Sequence, residues 1–128
     1  EGEADAMFEL YVFFSKGIGT EVDGPTAIGW CRKAAEAGSA RAMANMGGFY
    51  ATGNGVEQDG VHAIGWYKKA AEAGSGRAAA TLGIMYATGD SVEESAEQAR
   101  EYFQQADDLG FPWEDLAEQC GLDPEEYA

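Results

Sequence analysis

The residues able to do chemistry are few. His62 is the only histidine, so no His-based triad, His–His metal pair or imidazole relay can be assembled. Cys31 and Cys120 stand far apart and fit no C-x-x-C spacing, which leaves zinc and thioredoxin-like redox chemistry short of ligands and thiols. Gly17-Ile18-Gly19 and Gly53-Asn54-Gly55 look like phosphate-cradling loops, but neither continues to G-x-G-x-x-G and neither follows a strand-like segment. The 23 carboxylates have no partnering base, nucleophile or ligand cluster beside them, and no stretch has the alternating oxygen-ligand spacing of a calcium loop. The residue types therefore argue against an enzyme and against any metal or cofactor. Two arginines carry a different signal. Arg41 and Arg77 stand 36 residues apart, and a pair of guanidinium groups suits a carboxylate.

That interval is the period of the whole chain. Ala42-Met43-Ala44-Asn45-Met46-Gly47-Gly48-Phe49-Tyr50-Ala51-Thr52-Gly53 returns 36 residues later as Ala78 to Gly89, and one period earlier the register reaches Ala6, Leu10, Phe14 and Gly17. A second phrase, Ala27-Ile28-Gly29-Trp30-Cys31-Arg32-Lys33-Ala34-Ala35-Glu36-Ala37-Gly38, recurs from Ala63 to Gly74 and more loosely from Ala99 to Gly110. A period of this length marks stacked supersecondary units whose function lies on the surface of the array.

Each unit reads as two helices. Ala42, Met46, Phe49 and Tyr50 form one amphipathic stripe, and Ala63, Trp66, Tyr67, Ala70 and Ala71 form the next. Between them Gly53 permits a left-handed ending and Asp59 can cap the following helix. Helix breaks are expected near Gly17–Asp23, Gly38–Ala40, Gly53–Asp59, Gly74–Gly76 and Gly89–Ser95. Gly47 and Gly83 fall inside helices, where glycine costs roughly 1 kcal/mol against alanine, so a neighbouring helix is expected to approach too closely for a side chain. Trp30, Trp66 and Tyr102 are expected to be core residues, and Cys31, in the slot of Tyr67 and Phe103, a buried inert thiol. His62, early in a second helix, is expected to face solvent or assist a cap.

At 128 residues the chain suits one domain, and no run of 18 apolar residues proposes a membrane span. Glu1 in place of an initiator methionine suggests a crop from a longer protein or a matured form, and the compartment cannot be read. Net charge is −15 and uneven: from Asp90 to the C-terminus, Arg100 faces 13 carboxylates. Such a field repels phosphate backbones and anionic lipid, so nucleic acid and membrane are poor partners. It is either a solubilising surface or a docking face for a basic protein.

The motif resembles that of the Sel-one-like repeat family, relatives of the tetratricopeptide repeats. Ala42, Met46, Gly47, Tyr50, Gly53, Gly55, Val56, Asp59, Ala63, Trp66, Lys69, Ala70, Ala71, Glu72 and Gly74 carry the resemblance in the second unit. Departures fall at the ends, where the third unit has Ser91, Ser95, Gln105, Asp107 and Asp108. The expected fold is all-α: a right-handed α-solenoid of three antiparallel helix pairs, at about 3–38, 39–74 and 75–110. A C-terminal capping segment, about 111–128, would present Trp113, Leu116, Ala117 and Cys120 on one apolar stripe.

The resemblance implies a concave groove lined by first helices that binds a protein or peptide segment. Asp5, Phe8, Val12 and Ser15, then Arg41, Ala44 and Gly48, then Arg77, Ala80 and Ile84 would line it. The expected function is a non-enzymatic adaptor or scaffold, monomeric; the alternative is a small acidic inhibitor or immunity-type protein neutralising a basic partner.

Overall fold

The structure, a computed structural model, describes residues 24–53 and 56–127. Six α-helices follow one another: α1 (Gly24–Glu36), α2 (Ala40–Thr52), α3 (Gly60–Glu72), α4 (Gly76–Thr88), α5 (Ala96–Asp108) and α6 (Trp113–Gln119). A short 3₁₀ turn, Pro124–Glu126, closes the chain, and no strand occurs among the described residues. α1 is the second helix of the first unit, α2 with α3 and α4 with α5 are the next two units, and the expected first helix lies outside the described residues.

Local chemistry sets the boundaries. Ser39, Ser75 and Ser95 each accept a hydrogen bond from the third backbone N–H beyond them, at 3.1–3.2 Å, and so satisfy a donor that the first turn leaves orphaned. Ser95 departs from the repeat pattern yet does the work of Asp59. First helices end at Gly53 and Gly89, whose φ of 73° and 75° an L side chain rarely adopts.

Asp59 does more than cap α3. Its carboxylate accepts from the backbone N–H groups of Val61 and His62 and lies 2.6 Å from His62 Nδ1. The His62 side chain, followed by the backbone N–H groups, holds this carboxyl below the ordinary aspartate value of 3.8. A depressed folded-state value stabilises the fold above pH 3.8, and the contribution is lost as pH falls through the folded value. Asp59→Ala is therefore expected to lower the urea midpoint at pH 7 and to approach the parent as pH falls below 3.8 through the folded value. A difference that persists at the lower pH would assign the cap's effect to something other than the ionised carboxylate.

Packing is pairwise along the array, most extensive between α4 and α5 and between α2 and α3. One core cluster joins Cys31, Ala34 and Ala35 of α1 to Ala42 and Met46 of α2. A larger one runs from Ala63 on α3 to Ala117 on α6. The mid-helix glycines fit the close approach their recurrence implies: a Cβ on Gly47 would stand 2.8 Å from the Tyr67 ring, and one on Gly83 2.5 Å from Phe103. The large residue filling the centre of a unit is accordingly Tyr67 or Phe103. Trp30, Trp66 and Tyr102, expected in the core, are only partly buried, Trp66 and Tyr102 at its rim.

Cys31 is fully buried, with its thiol toward the Ala42 carbonyl, and burial pushes the thiol up to about 12. It is a packing residue. At the other end Trp113 and Ala117 are buried against the third unit and Leu116 partly so, while Cys120, just past the last turn of α6, is exposed rather than on the apolar stripe.

Candidate functional site

The first helices α2 and α4 share one surface, and between them lies a cleft of about 170 Å³. Its walls are Ala44 and Asn45 of α2 and Arg77, Ala78 and Thr81 of α4; Tyr67 of α3 reaches it from below. Gly48 is not one of its walls but stands beside the Tyr67 hydroxyl, where a Cβ would lie 3.6 Å from the oxygen. That volume suits a carboxylate, a peptide group or a small side chain rather than a whole organic ligand.

Three of the polar side chains lining the cleft, Asn45, Tyr67 and Arg77, carry hydrogen-bond donors. Burial raises the Tyr67 hydroxyl above the ordinary tyrosine range, and the Arg77 charge only partly offsets this, so at neutral pH it remains a protonated donor. Arg77 is exposed and has no carboxylate partner among the described residues. The Asn45 amide adds two donors and one acceptor. The Thr81 hydroxyl bonds back to the Arg77 carbonyl at 2.9 Å, which tethers it to its own helix. A group rich in acceptors is the complement of this set.

Of the residues expected to line a groove, Ala44 and Arg77 meet at this cleft, and Gly48 lies near Tyr67 without lining it. Arg41 is exposed but is not among its walls, and Ile84 is partly buried against the core. Ala80 is a correction: it is 0% exposed, because α4 has neighbours on both sides and buries a wider arc than an end helix, so its side chain cannot touch a partner. Asp5, Phe8, Val12 and Ser15 lie outside the described residues. Asn45, Tyr67 and Thr81 were not expected here. Asn45 and Thr81 do carry a signal, being one period apart and one turn beyond Arg41 and Arg77.

Among the described residues no three histidine, cysteine or carboxylate side chains gather to hold a metal ion, and no helix is long and apolar enough to cross a membrane.

Helix pairs of constant period packed along a shared core define an α-solenoid. The chain belongs to the Sel1 repeat family, whose model matches residues 4–39, 40–75 and 76–111, and the fold is in general a protein-interaction scaffold. Two solved structures are similar over most of its length. One is a Sel1 repeat protein from Oxalobacter formigenes, 32% identical, with a TM-score of 0.78, covering 84% of this chain and 44% of that one. The other is c5321, a protective antigen present in uropathogenic Escherichia coli strains and displaying an SLR fold, 33% identical, with a TM-score of 0.79, covering 88% of this chain and 24% of that one. The chain thus spans less than half the length of either. No curated protein matches it.

Proposed function

We propose that the chain is a non-enzymatic adaptor module that receives a peptide or protein segment across the surface of α2 and α4, with an acceptor-rich group of the partner held in the cleft between them. The observation that carries this reading is the convergence of Arg77, the Tyr67 hydroxyl and the Asn45 amide on one small concavity. A partner's carboxylate, from an acidic side chain or a chain terminus, would meet one charged and two neutral donors. Flanking apolar contacts would supply area, since Ala44 and Ile84 are only partly buried.

The test is affinity selection from a displayed random-peptide library, followed by titration calorimetry of the enriched peptides. Hydrogen bonds to charged groups contribute about 1.5–3 kcal/mol each. Arg77→Ala is therefore expected to weaken binding about tenfold or more, and Tyr67→Phe severalfold, with helical spectra unchanged. Should the enriched peptides instead be basic, insensitive to Arg77→Ala and weakened by neutralising Glu93, Glu94 and Glu97, the acidic end is the site and the inhibitor function replaces the adaptor.

A further inference from the structure

The opposite surface of the array carries a second feature, repeated on α1 and α3. Gly29 and Gly65 sit inside these second helices, yet a Cβ built on either would meet nothing within 4 Å. They differ in this from Gly47 and Gly83, whose missing side chains make room for a ring. At Gly29 and Gly65 no contact among the described residues offsets the helix-propensity penalty of glycine, and the bare backbone is open to a contact from outside.

Beside each stands a tryptophan with a lysine over it. Lys33 Nζ is 4.8 Å from the Trp30 ring centroid, and Lys69 Nζ is 5.0 Å from that of Trp66. Neither ammonium has an ion-pair partner among the described residues. On α3 the arrangement opens a groove of about 280 Å³ lined by Val61, His62, Gly65, Trp66 and Lys69, and Val61 is 78% exposed. Asp59 at its edge is engaged by His62 and by the helix N–H groups.

The third unit builds the same helix without these features. Glu101 replaces the glycine, Tyr102 the tryptophan and Gln105 the lysine, and the Gln105 amide donates to the Ala71 carbonyl. The helix thus folds without the glycine–tryptophan–lysine set. Charge divides along the same line. α1 has Arg32 and Lys33 against Glu36, and α3 has Lys68 and Lys69 against Glu72, while α5 and α6 together carry Arg100 against seven carboxylates.

We propose that the outer face of α1 and α3 is a second docking surface, for an acidic segment of a partner protein that seats a bulky apolar side chain against Trp66 over Gly65 and offers carboxylates to Lys33 and Lys69. Charge complementarity selects this occupant: Lys33 and Lys69 stand beside the tryptophans without an ion-pair partner among the described residues, on a molecule of net charge −15, whereas Arg32 turns to the Tyr50 hydroxyl and Lys68 to the Tyr86 ring. The same net charge opposes a second copy, whereas a short segment senses the local lysines within a Debye length of about 8 Å at physiological ionic strength.

The experiment pans a random-peptide display library against the parent, Lys33→Glu/Lys69→Glu and Arg77→Ala, and measures the affinity of the enriched peptides. An acid-rich class bearing an aromatic or large aliphatic residue is expected, retained by Arg77→Ala and weakened about tenfold or more by the double charge reversal. This separates it from the cleft between α2 and α4, which Arg77→Ala disables. Gly65→Ala guards against a folding artefact: its Cβ enters open space, so the urea midpoint should rise while affinity for the acid-rich class falls severalfold. The inference is overturned if no such class is enriched, if it binds the charge-reversed variant equally, or if Gly65→Ala binds as well as the parent. A dimer of the parent in sedimentation that the charge reversal dissolves would also overturn it, assigning the face to a second copy.

Discussion

Replacing Gly83 by leucine is expected to destabilise the fold by about 1–3 kcal/mol or more, the cost of forcing extra volume into a filled core. Even the first added carbon would sit 2.5 Å from Phe103 Cε1 and 2.6 Å from Cδ1, inside contact distance. Phe103 cannot yield: it is 1% exposed, its ring is stacked on Trp113 at 4.1 Å, and the Tyr127 ring meets it edge-on at 5.5 Å. The leucine therefore pushes α4 and α5 apart where they pack most extensively. Glu97→Ala, at an exposed position in the first turn of α5, is the control and should change the urea midpoint little. Combining Gly83→Leu with Phe103→Ala should recover part of the loss, because the cavity left by one change receives the volume of the other. Equal small effects of Gly83→Leu and Glu97→Ala would remove Gly83 from the helix contact.

These glycines were legible in the sequence for a physical reason. Nothing in helix propensity favours glycine mid-helix, so its return one period later pointed to close packing. The caps were legible on similar grounds, since an orphaned helix-terminal N–H restricts which residues can precede it. The site was only partly legible. Counting from the repeat placed Arg77 and Ala44 at the cleft but also chose Ala80, because a fixed offset names a helix face without saying how wide an arc the neighbours cover. Ala78, Ala79 and Ala80 are all fully buried, so more than half the circumference of α4 near its start is core. Tyr67 was hidden for the opposite reason. Its slot is filled by Cys31 and Phe103 in the other units, which marks it as apolar filling, and only the relative placement of α2, α3 and α4 shows its hydroxyl emerging in the cleft. The bare glycines of α1 and α3 are not legible as surface features, because a repeated glycine reads as packing until its surroundings are known to be open.

The largest single loss is expected at Trp113. It is 2% exposed and covers Phe103, so Trp113→Ala should cost about 3–5 kcal/mol, as large-to-small changes of buried aromatics do. The loss should also be local. In a linear array each unit is stabilised by its neighbour, and among the described residues α6 is the neighbour that packs on the C-terminal side of the third unit. Amide exchange in α5 and α6 should therefore quicken first, while α2, whose buried Ala42 and Met46 belong to the other core cluster with α1, keeps its protection longer. Trp113→Phe separates volume from polarity. The Trp113 Nε1 is buried with no hydrogen-bond partner, and an unsatisfied buried donor costs about 1–3 kcal/mol. Phenylalanine removes that donor while retaining a ring to stack on Phe103, so the lost apolar area and the relieved penalty should largely cancel. Calorimetric melting of the two variants with exchange mass spectrometry checks both parts. A phenylalanine variant as unstable as the alanine one would mean that the indole nitrogen is satisfied in solution, and uniform loss of protection from α2 to α6 would mean that the array unfolds as one unit rather than from its capped end.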